Sequence, residues 1–498
     1  MKSARPTTAA CVPVSMALKK GDSIVFSLQA LSRKPRIHFS GIGGTAMVGG
    51  ARLAIEAAYE VRGSDNPLYP PTSLMVDDLG VPVAVGYAAG NLDWEPDLVV
   101  VGNALSRGNP EVEVALERRL HYVSLPEWLK DAVLRPRRPV VIAGTHGKTT
   151  TTALAAHLLD RVGLDIGYLI GGQPLGLPHS ARLGAEGAPF VIEGDEYDTA
   201  FFDKRAKFFH YLPEIAVVTS IEFDHGDIYA DLAEIQTAFR RMLRQVPASG
   251  WLVACADNAA LEVLKPGALC RVLSYGFSES ADFRGEARPG EGGFQRLDVW
   301  KRGEPWGAFD VPMAGRHNLQ NALAALAVGD LLGVPADRLA EALRAFRGVR
   351  RRMEVFLEAH GVTFVDDFAH HPTAVRETIR AARQRWPGRT LRVLFEPRSN
   401  TTVTNTFLGP LIEAFLDGDD VWIGPIHRGD RIPGDQRLDR AALVDGLRSR
   451  GIAAACADTA AEIVAHVREN AVEGDIVLIL SNGAFGGIYD LLREAFAG

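Results

Sequence analysis

Short runs of apolar residues with no polar alternation recur along the chain. Each breaks off at glycine or polar residues before a stretch with helical spacing. Val140-Val-Ile-Ala143 leads into Gly144-Thr-His-Gly-Lys-Thr149, after which a helical pattern continues to Leu159. Pro35-Arg-Ile-His-Phe-Ser40 leads into Gly41-Ile-Gly-Gly44 and a helix over residues 47–58, and Leu98-Val-Val-Val-Gly102 precedes a helix over 110–119. Strands are expected over 189–198 and 215–225, both running from apolar residues into carboxylates. Nearer the C-terminus Thr363-Phe-Val-Asp-Asp367, Leu391-Arg-Val-Leu-Phe395, 420–424 and 475–480 repeat the pattern, and a last helix covers 487–497. Continuous apolar strands alternating with helices predict parallel sheets covered on both faces, hence an α/β protein. Residues 248–309 differ, being glycine-rich with short β-like and turn-like pieces; an alanine-rich helical stretch opens after Pro312.

A chain of 498 residues exceeds what one core usually serves, so about three domains are expected. The pattern divides it into an extension over 1–34, a doubly wound domain over 35–135, a central domain over 136–347 and a third over 348–498, which opens near Gly348-Val-Arg-Arg-Arg-Met-Glu354.

The strand, turn and helix around Lys148 have the order required of a triphosphate-binding loop. Gly144 and Gly147 let backbone N–H groups face an anion, Thr145, His146 and Thr150 complete the loop, and the helix start adds its positive dipole end. The spacing is shorter than the usual Gly-x4-Gly-Lys-Ser/Thr, so only the Gly-Lys-Thr core matches. In this reading Lys148 holds the β- and γ-phosphates and the Thr149 hydroxyl binds Mg²⁺. Acidic and imidazole groups at the carboxyl ends of these strands, where an α/β sheet keeps its site, read as Mg²⁺ ligands or as partners that orient such ligands; Asp195, Glu196, Asp198 and Asp224 could equally cap helices or face water, and Glu193 and His225, each closely following an apolar strand, are favoured. Gly41, Gly43 and Ala46 satisfy G-x-G-x-x-A, with Asp65 where the next strand ends. Two ligands fit: a nicotinamide dinucleotide with Asp65 on a ribose hydroxyl, or another diphosphate such as that of a UDP-sugar. Asn318 and Asn321 share one helix face and could read an adenine edge, or simply cap. Of the adjacent His370 and His371, one is expected to be structural and the other to face a cleft.

Composition narrows the partners. With 54 basic against 61 acidic residues the net charge is -7, which argues against nucleic acid or an anionic membrane. No lysine follows Lys301, and Cys11, Cys255, Cys270 and Cys456 form no C-x-x-C pair, as expected of free thiols in a reducing, cytoplasmic setting.

Taken in order, His38-Phe-Ser-Gly-Ile-Gly-Gly44, Gly144-Thr-His-Gly-Lys-Thr149, Glu193-Gly-Asp-Glu-Tyr-Asp198, Gly315-Arg-His-Asn-Leu-Gln-Asn321 and Asp366-Asp-Phe-Ala-His-His-Pro372 resemble the ATP-dependent Mur ligases from residue 38 onward. The resemblance implies three domains: a Rossmann-like UDP-binding domain, a P-loop-type ATPase domain and a Rossmann-like C-terminal domain. It implies that Gly41, Ile42, Gly43, Gly44, Ser64 and Asp65 bind the UDP-sugar. Lys148, Glu193 and His225 would carry catalysis, with Thr149, Glu193 and His225 on Mg²⁺. Asn318 and Asn321 would meet adenine, Arg352 the phosphates and Asp367 the ribose of ATP. His370, Arg398 and Asn400 would face the amine substrate. Several members carry a carbamoylated lysine in the region that here spans 232–242, which has none; Phe239 stands at the nearest match.

The implied reaction joins UDP-N-acetylmuramate to an amine through an acyl phosphate, in the peptidoglycan pathway. Phe395-Glu-Pro-Arg-Ser-Asn-Thr-Thr402 replaces a bulky cationic cluster by one arginine and small polar residues, and points to the murein tripeptide L-Ala-γ-D-Glu-meso-diaminopimelate in preference to free L-alanine. A nicotinamide oxidoreductase would leave Lys148 idle. A non-catalytic UDP-sugar sensor would be expected to have lost Lys148, Glu193 or His225.

Overall fold

The computed structural model describes residues 32–68, 72–224, 226, 228–400, 402–429 and 432–497. The chain divides into two compact units: one runs to Pro136 and includes Ala200–Phe202, and the other holds Arg137–Thr199 and Asp203–Gly498.

The first unit is a parallel sheet in the order β3-β2-β1-β4-β5, built from β1 (Arg36–Ser40), β2 (Glu60–Asp65), β3 (Val83–Val85), β4 (Leu98–Val101) and β5 (Tyr122–Ser124). Its order reverses between β1 and β4. The Gly41–Gly44 turn leaves the carboxyl end of β1 at that switch, where open α/β sheets bind ligands. The helix that follows spans Thr45–Glu56, starting two residues before the expected Met47 because Gly44 is its N-cap. Phe201 and Phe202 pack on this unit's apolar cluster, with the Phe202 ring edge-on to Tyr122 at 5.1 Å.

The second unit carries two large sheets. The larger has ten strands in the order β17-β16-β15-β14-β13-β12-β6-β9-β7-β8. Its centre is β6 (Arg138–Ala143), β9 (Pro189–Gly194) and β12 (Ile215–Val218), parallel and almost wholly buried. Beyond β12 lie β13 (Trp251–Cys255), β14 (Arg271–Gly276), β15 (Phe283–Pro289), β16 (Gln295–Lys301) and β17 (Glu304–Val311). The glycine-rich segment is thus an extension of the sheet, antiparallel from β15 to β17. On the other side β7 (Gly167–Leu169) pairs with the short edge strand β8 (Ala181–Arg182). Two strands are shorter than expected. That over 189–198 stops at Gly194, and β10 (Asp198–Ala200) forms its own hairpin with β11 (Asp203–Ala206). That over 215–225 stops at Val218, leaving Thr219–Asp224 as a loop.

Helix Lys148–Arg161 follows β6 and is buried on nearly every side from Thr149 to Leu159, packed between sheet and helix Arg316–Leu331. Small side chains, threonine and alanine, allow that close packing. The third sheet runs β18-β19-β23-β20-β21-β22, from β18 (Glu354–Ala359), β19 (Val362–Asp367), β20 (Leu391–Phe395), β21 (Asp420–Ile423), β22 (Ala453–Cys456) and β23 (Ile476–Leu480). It is parallel except for the edge strand β18. Among the described residues no helix is long and apolar enough to cross a membrane.

Candidate active site

The turn after β6 is held by the loop after β12. Thr145 N–H donates to the Ser220 carbonyl at 2.9 Å, His146 N–H to the Ser220 hydroxyl at 3.0 Å, and Glu222 N–H to the Thr145 hydroxyl at 2.9 Å. Gly147 takes φ +79°, and a Cβ there would run into the Asn321 side-chain oxygen. Asn321 also accepts from the Thr151 hydroxyl at 3.2 Å and donates to Asn318, whose own amide nitrogen donates to the Ala314 carbonyl at 2.8 Å. The two asparagines are therefore bonded to each other and to the helix behind the loop. As the structure stands they shape the phosphate loop, and the expected adenine edge would have to compete with these bonds.

Lys148 Nζ donates to the Gly144 carbonyl at 2.7 Å and to both oxygens of Glu196, at 2.9 and 2.8 Å. Burial works against the ammonium, but Glu196, Asp195 and Glu193 outweigh it and hold the lysine pKa above its ordinary value. Glu196 is a partner that the sequence reading left undecided within a run of four carboxylates. The Tyr229 hydroxyl donates to its backbone carbonyl at 2.7 Å. At the end of β9, Glu193 accepts from the Thr149 hydroxyl at 3.0 Å and from Gly171 N–H at 3.0 Å; burial raises its pKa, only partly offset by Lys148. Thr149 and Glu193 thus bring two hard oxygen donors together at the start of the helix, a pair that fits Mg²⁺. His225, expected to complete that set, lies outside the described residues. Thr150 is buried in the same first turn.

Arg352 reaches this point from the segment that leads into β18: its guanidinium lies 3.4 Å from the Thr149 hydroxyl and over the Phe368 ring. Asp367 is buried and accepts from Met353 and Ala369 N–H, both at 2.8 Å, so its carboxylate holds the end of β19 in place of the open position expected for a ribose contact. His370 donates through Nδ1 to the Phe368 carbonyl at 3.0 Å, and burial lowers its pKa. His371 caps helix Pro372–Arg385, its side chain accepting from Thr373 N–H. A residue absent from the expectations is His317, whose buried Nδ1 has no hydrogen-bond partner among the described residues and whose electrostatic neighbours are Asp367, Glu377, Arg352 and His146.

At the carboxyl end of β20, Arg398 donates to Glu396 at 3.3 Å and pairs with His427 Nδ1 at 3.1 Å, while Asn400 is exposed close by in sequence. Ser399 and Thr402 hydroxyls are 2.6 Å apart.

In the first unit Gly43 N–H donates to Asp65 at 2.7 Å, and a Cβ at Gly43 would strike Leu68 and Asp65. Asp65 also accepts from the Tyr87 hydroxyl at 2.8 Å. Ile42 is wholly buried, and Gly44 opens the helix. Ser64, expected beside a diphosphate, is instead fully buried and donates to Glu111 at 2.6 Å. Glu111 lies under the loop, accepting also from Ser40 at 2.5 Å and Asn91 at 2.6 Å; burial pushes its carboxyl up, but these bonds and His38 hold it at about 2. Nothing in the sequence pattern marked Glu111, which sits in the first turn of an ordinary amphipathic helix.

A glycine turn at the switch point of one parallel sheet, and a lysine-bearing phosphate loop faced by carboxylates on another, define a nucleotide-binding α/β protein. Family models for the Mur ligase family catalytic domain, the Mur ligase middle domain and the Mur ligase glutamate ligase domain match residues 36–136, 142–329 and 351–483, and the chain belongs to the Mur ligase family. It is 40% identical over 470 residues to the UDP-N-acetylmuramate–L-alanyl-γ-D-glutamyl-meso-2,6-diaminoheptandioate ligase of Escherichia coli, covering 93% of this chain and 98% of that protein. It is 37% identical over 454 residues to a UDP-N-acetylmuramate–L-alanine ligase of Anaeromyxobacter dehalogenans, covering 91% of this chain and 96% of that one. A murein peptide ligase structure from Psychrobacter arcticus superposes with a TM-score of 0.71 at 34% identity, covering 93% of this chain and 98% of that one.

Proposed function

We propose that the chain is an ATP-dependent ligase that joins the lactyl carboxylate of UDP-N-acetylmuramate to the amino group of L-Ala-γ-D-Glu-meso-diaminopimelate in peptidoglycan recycling. The observation that carries this reading is the 40% identity to the E. coli enzyme of that name across 93% of the chain. ATP and a nucleotide sugar as substrates assign the reaction to the cytoplasm.

Amide formation needs an activated carboxylate, so the γ-phosphoryl group passes to the lactyl carboxylate and the amine then displaces phosphate from the acyl phosphate. Lys148 would leave Glu196 for the β- and γ-phosphates, offsetting the repulsion between two anions. Thr149, Glu193 and His225 would hold Mg²⁺, which screens the phosphate charge when bound. Arg352 neutralises phosphate from the third domain, and the N–H groups from Gly147 to Thr150 at the helix start face the same anion, those of Thr145 and His146 being held by Ser220. Asn318, Asn321, Asp367 and His317, through its buried Nδ1, are the candidates for the adenosine, the first three by exchanging their present bonds. Gly41 to Gly44, with Asp65, would seat the UDP diphosphate, Glu111 and Ser64 supporting the loop from beneath. His370 would face the incoming amine. Arg398 and Asn400 are assigned to the carboxylates beyond the alanine, and His427 joins them through its pairing with Arg398.

Phosphate release from ATP, with UDP-N-acetylmuramate and either the tripeptide or free L-alanine, tests the choice. The tripeptide should have the higher kcat/KM. A preference for L-alanine would assign the chain to the other activity named among its relatives, with fold and mechanism unchanged.

A further inference from the structure

Beside the phosphate loop, three side chains from three different segments converge outside the Thr149 and Glu193 pair. His146 Nε2 lies 3.2 Å from Glu222 Oε2, His371 Nδ1 lies 3.8 Å from the same oxygen, and all three atoms lie within 4.8 Å of one another. Donors about 2.1 Å from a tetrahedral zinc stand about 3.4 Å apart, and the two shorter separations bracket that spacing. His371 is also in the right tautomer. Its Nε2 faces the Phe223 carbonyl at 3.3 Å, which can only accept, so the proton is on Nε2 and the lone pair is on Nδ1 facing Glu222. A ligating histidine anchored through its other N–H to a carbonyl is the usual support for a metal site. His371 is buried, Glu222 is about one-third exposed, and the imidazoles of His146 and His371 are 4.8 Å apart, so the site is walled yet reachable by solvent.

We propose that His146, Glu222 and His371 form a binding site for a borderline divalent transition metal such as Zn²⁺ or Co²⁺, distinct from the Mg²⁺ pair. Two imidazoles and one carboxylate suit such ions and suit Mg²⁺ poorly. His371 and Glu222 are held in their ligating forms at neutral pH. Burial first, then the neighbouring His146, lowers the His371 pKa to about 4, while hydrogen bonds and the two histidines overcome burial to keep Glu222 at about 2. At present Thr373 occupies this corner: its hydroxyl donates to Glu222 Oε2 at 2.7 Å and its N–H to His371 Nδ1 at 3.3 Å. Binding would displace these contacts and move the His146 proton to Nδ1. Because His146 belongs to the phosphate loop, Glu222 to the loop after β12 and His371 to the third domain, the ion would tie the loop to the third sheet.

The test is equilibrium dialysis of the full-length protein against Co²⁺, then Zn²⁺, with millimolar Mg²⁺ present throughout, and visible absorption of the cobalt form. One Co²⁺ per chain with low-symmetry d–d bands is expected, displaced by Zn²⁺. His371→Ala and Glu222→Gln should each weaken binding by about tenfold or more. Thr373→Ala removes the competing hydroxyl without removing a ligand and should retain or tighten it. Glu193→Gln should leave it unchanged, circular dichroism confirming that each variant is folded. Absence of bound Co²⁺, binding unaffected by the His371 and Glu222 variants, or displacement by Mg²⁺ would each overturn the proposal.

Discussion

Lys148 and Glu196 form the most consequential pair at the scale of single residues, because both are largely withdrawn from water, with side-chain exposures of 13% and 3%. Removing one charge of such a pair destabilises more than removing both. Lys148→Met is therefore expected to abolish ligation and also to lower stability by about 3–5 kcal/mol. Adding Glu196→Gln should recover most of that stability and none of the activity, as denaturant unfolding and phosphate release would establish. Glu111 gives a second residue-scale expectation. Its folded pKa of about 2 lies below the ordinary value of 4.5. Its stabilisation is thus fully present above pH 4.5 and is lost as the pH falls towards 2. The difference in pKa corresponds to about 3 kcal/mol. Glu111→Gln should lose a comparable amount at neutral pH, and the gap from the parent should close in unfolding measurements made at successively lower pH.

Among the elements, helix Leu232–Leu243 shows how one core position bears on chemistry. Ile235, Ala238, Phe239, Met242 and Leu243 are its buried face, and Phe239 is fully enclosed with its ring 5.3 Å from that of Phe208. The position where the family resemblance suggested looking for a carbamoylated lysine is therefore apolar core. Phe239→Ala should cost about 3–5 kcal/mol through the cavity it leaves. Activity of the parent enzyme should not depend on dissolved carbon dioxide; a dependence seen in carbonate-depleted assays would count against this account of the helix.

For the whole molecule, the glycine turn and the phosphate loop stand on different sheets in different compact units. Lys148→Met should accordingly bind UDP-N-acetylmuramate within about twofold of the parent by calorimetry while failing to turn over, since a phosphate-loop charge acts on the transferring group. A large loss of UDP-sugar affinity would mean that the two sites do not act separately.

Local patterns determined much of this protein. Apolar runs locate β1, β6, β9 and β12, and the glycines that follow β1 and β6 locate the two nucleotide turns, because strand burial and positive φ leave few residue types to choose from. The Lys148, Thr149 and Glu193 neighbourhood was legible for the same reason, each lying within a residue or two of such a strand or turn. Tertiary structure decided how polar groups pair. Glu196 was one of four carboxylates until packing set it against Lys148; Ser64 and Asp367 were drawn into buried networks that local sequence does not encode. Glu222 is separated from His371 and Thr373 by about 150 residues along the chain, and only the approach of the third sheet to the phosphate loop brings them together. Hydrogen bonding and charge pairing act over a few ångströms in space whatever the separation in sequence, so these partners had no periodicity or spacing by which to announce themselves.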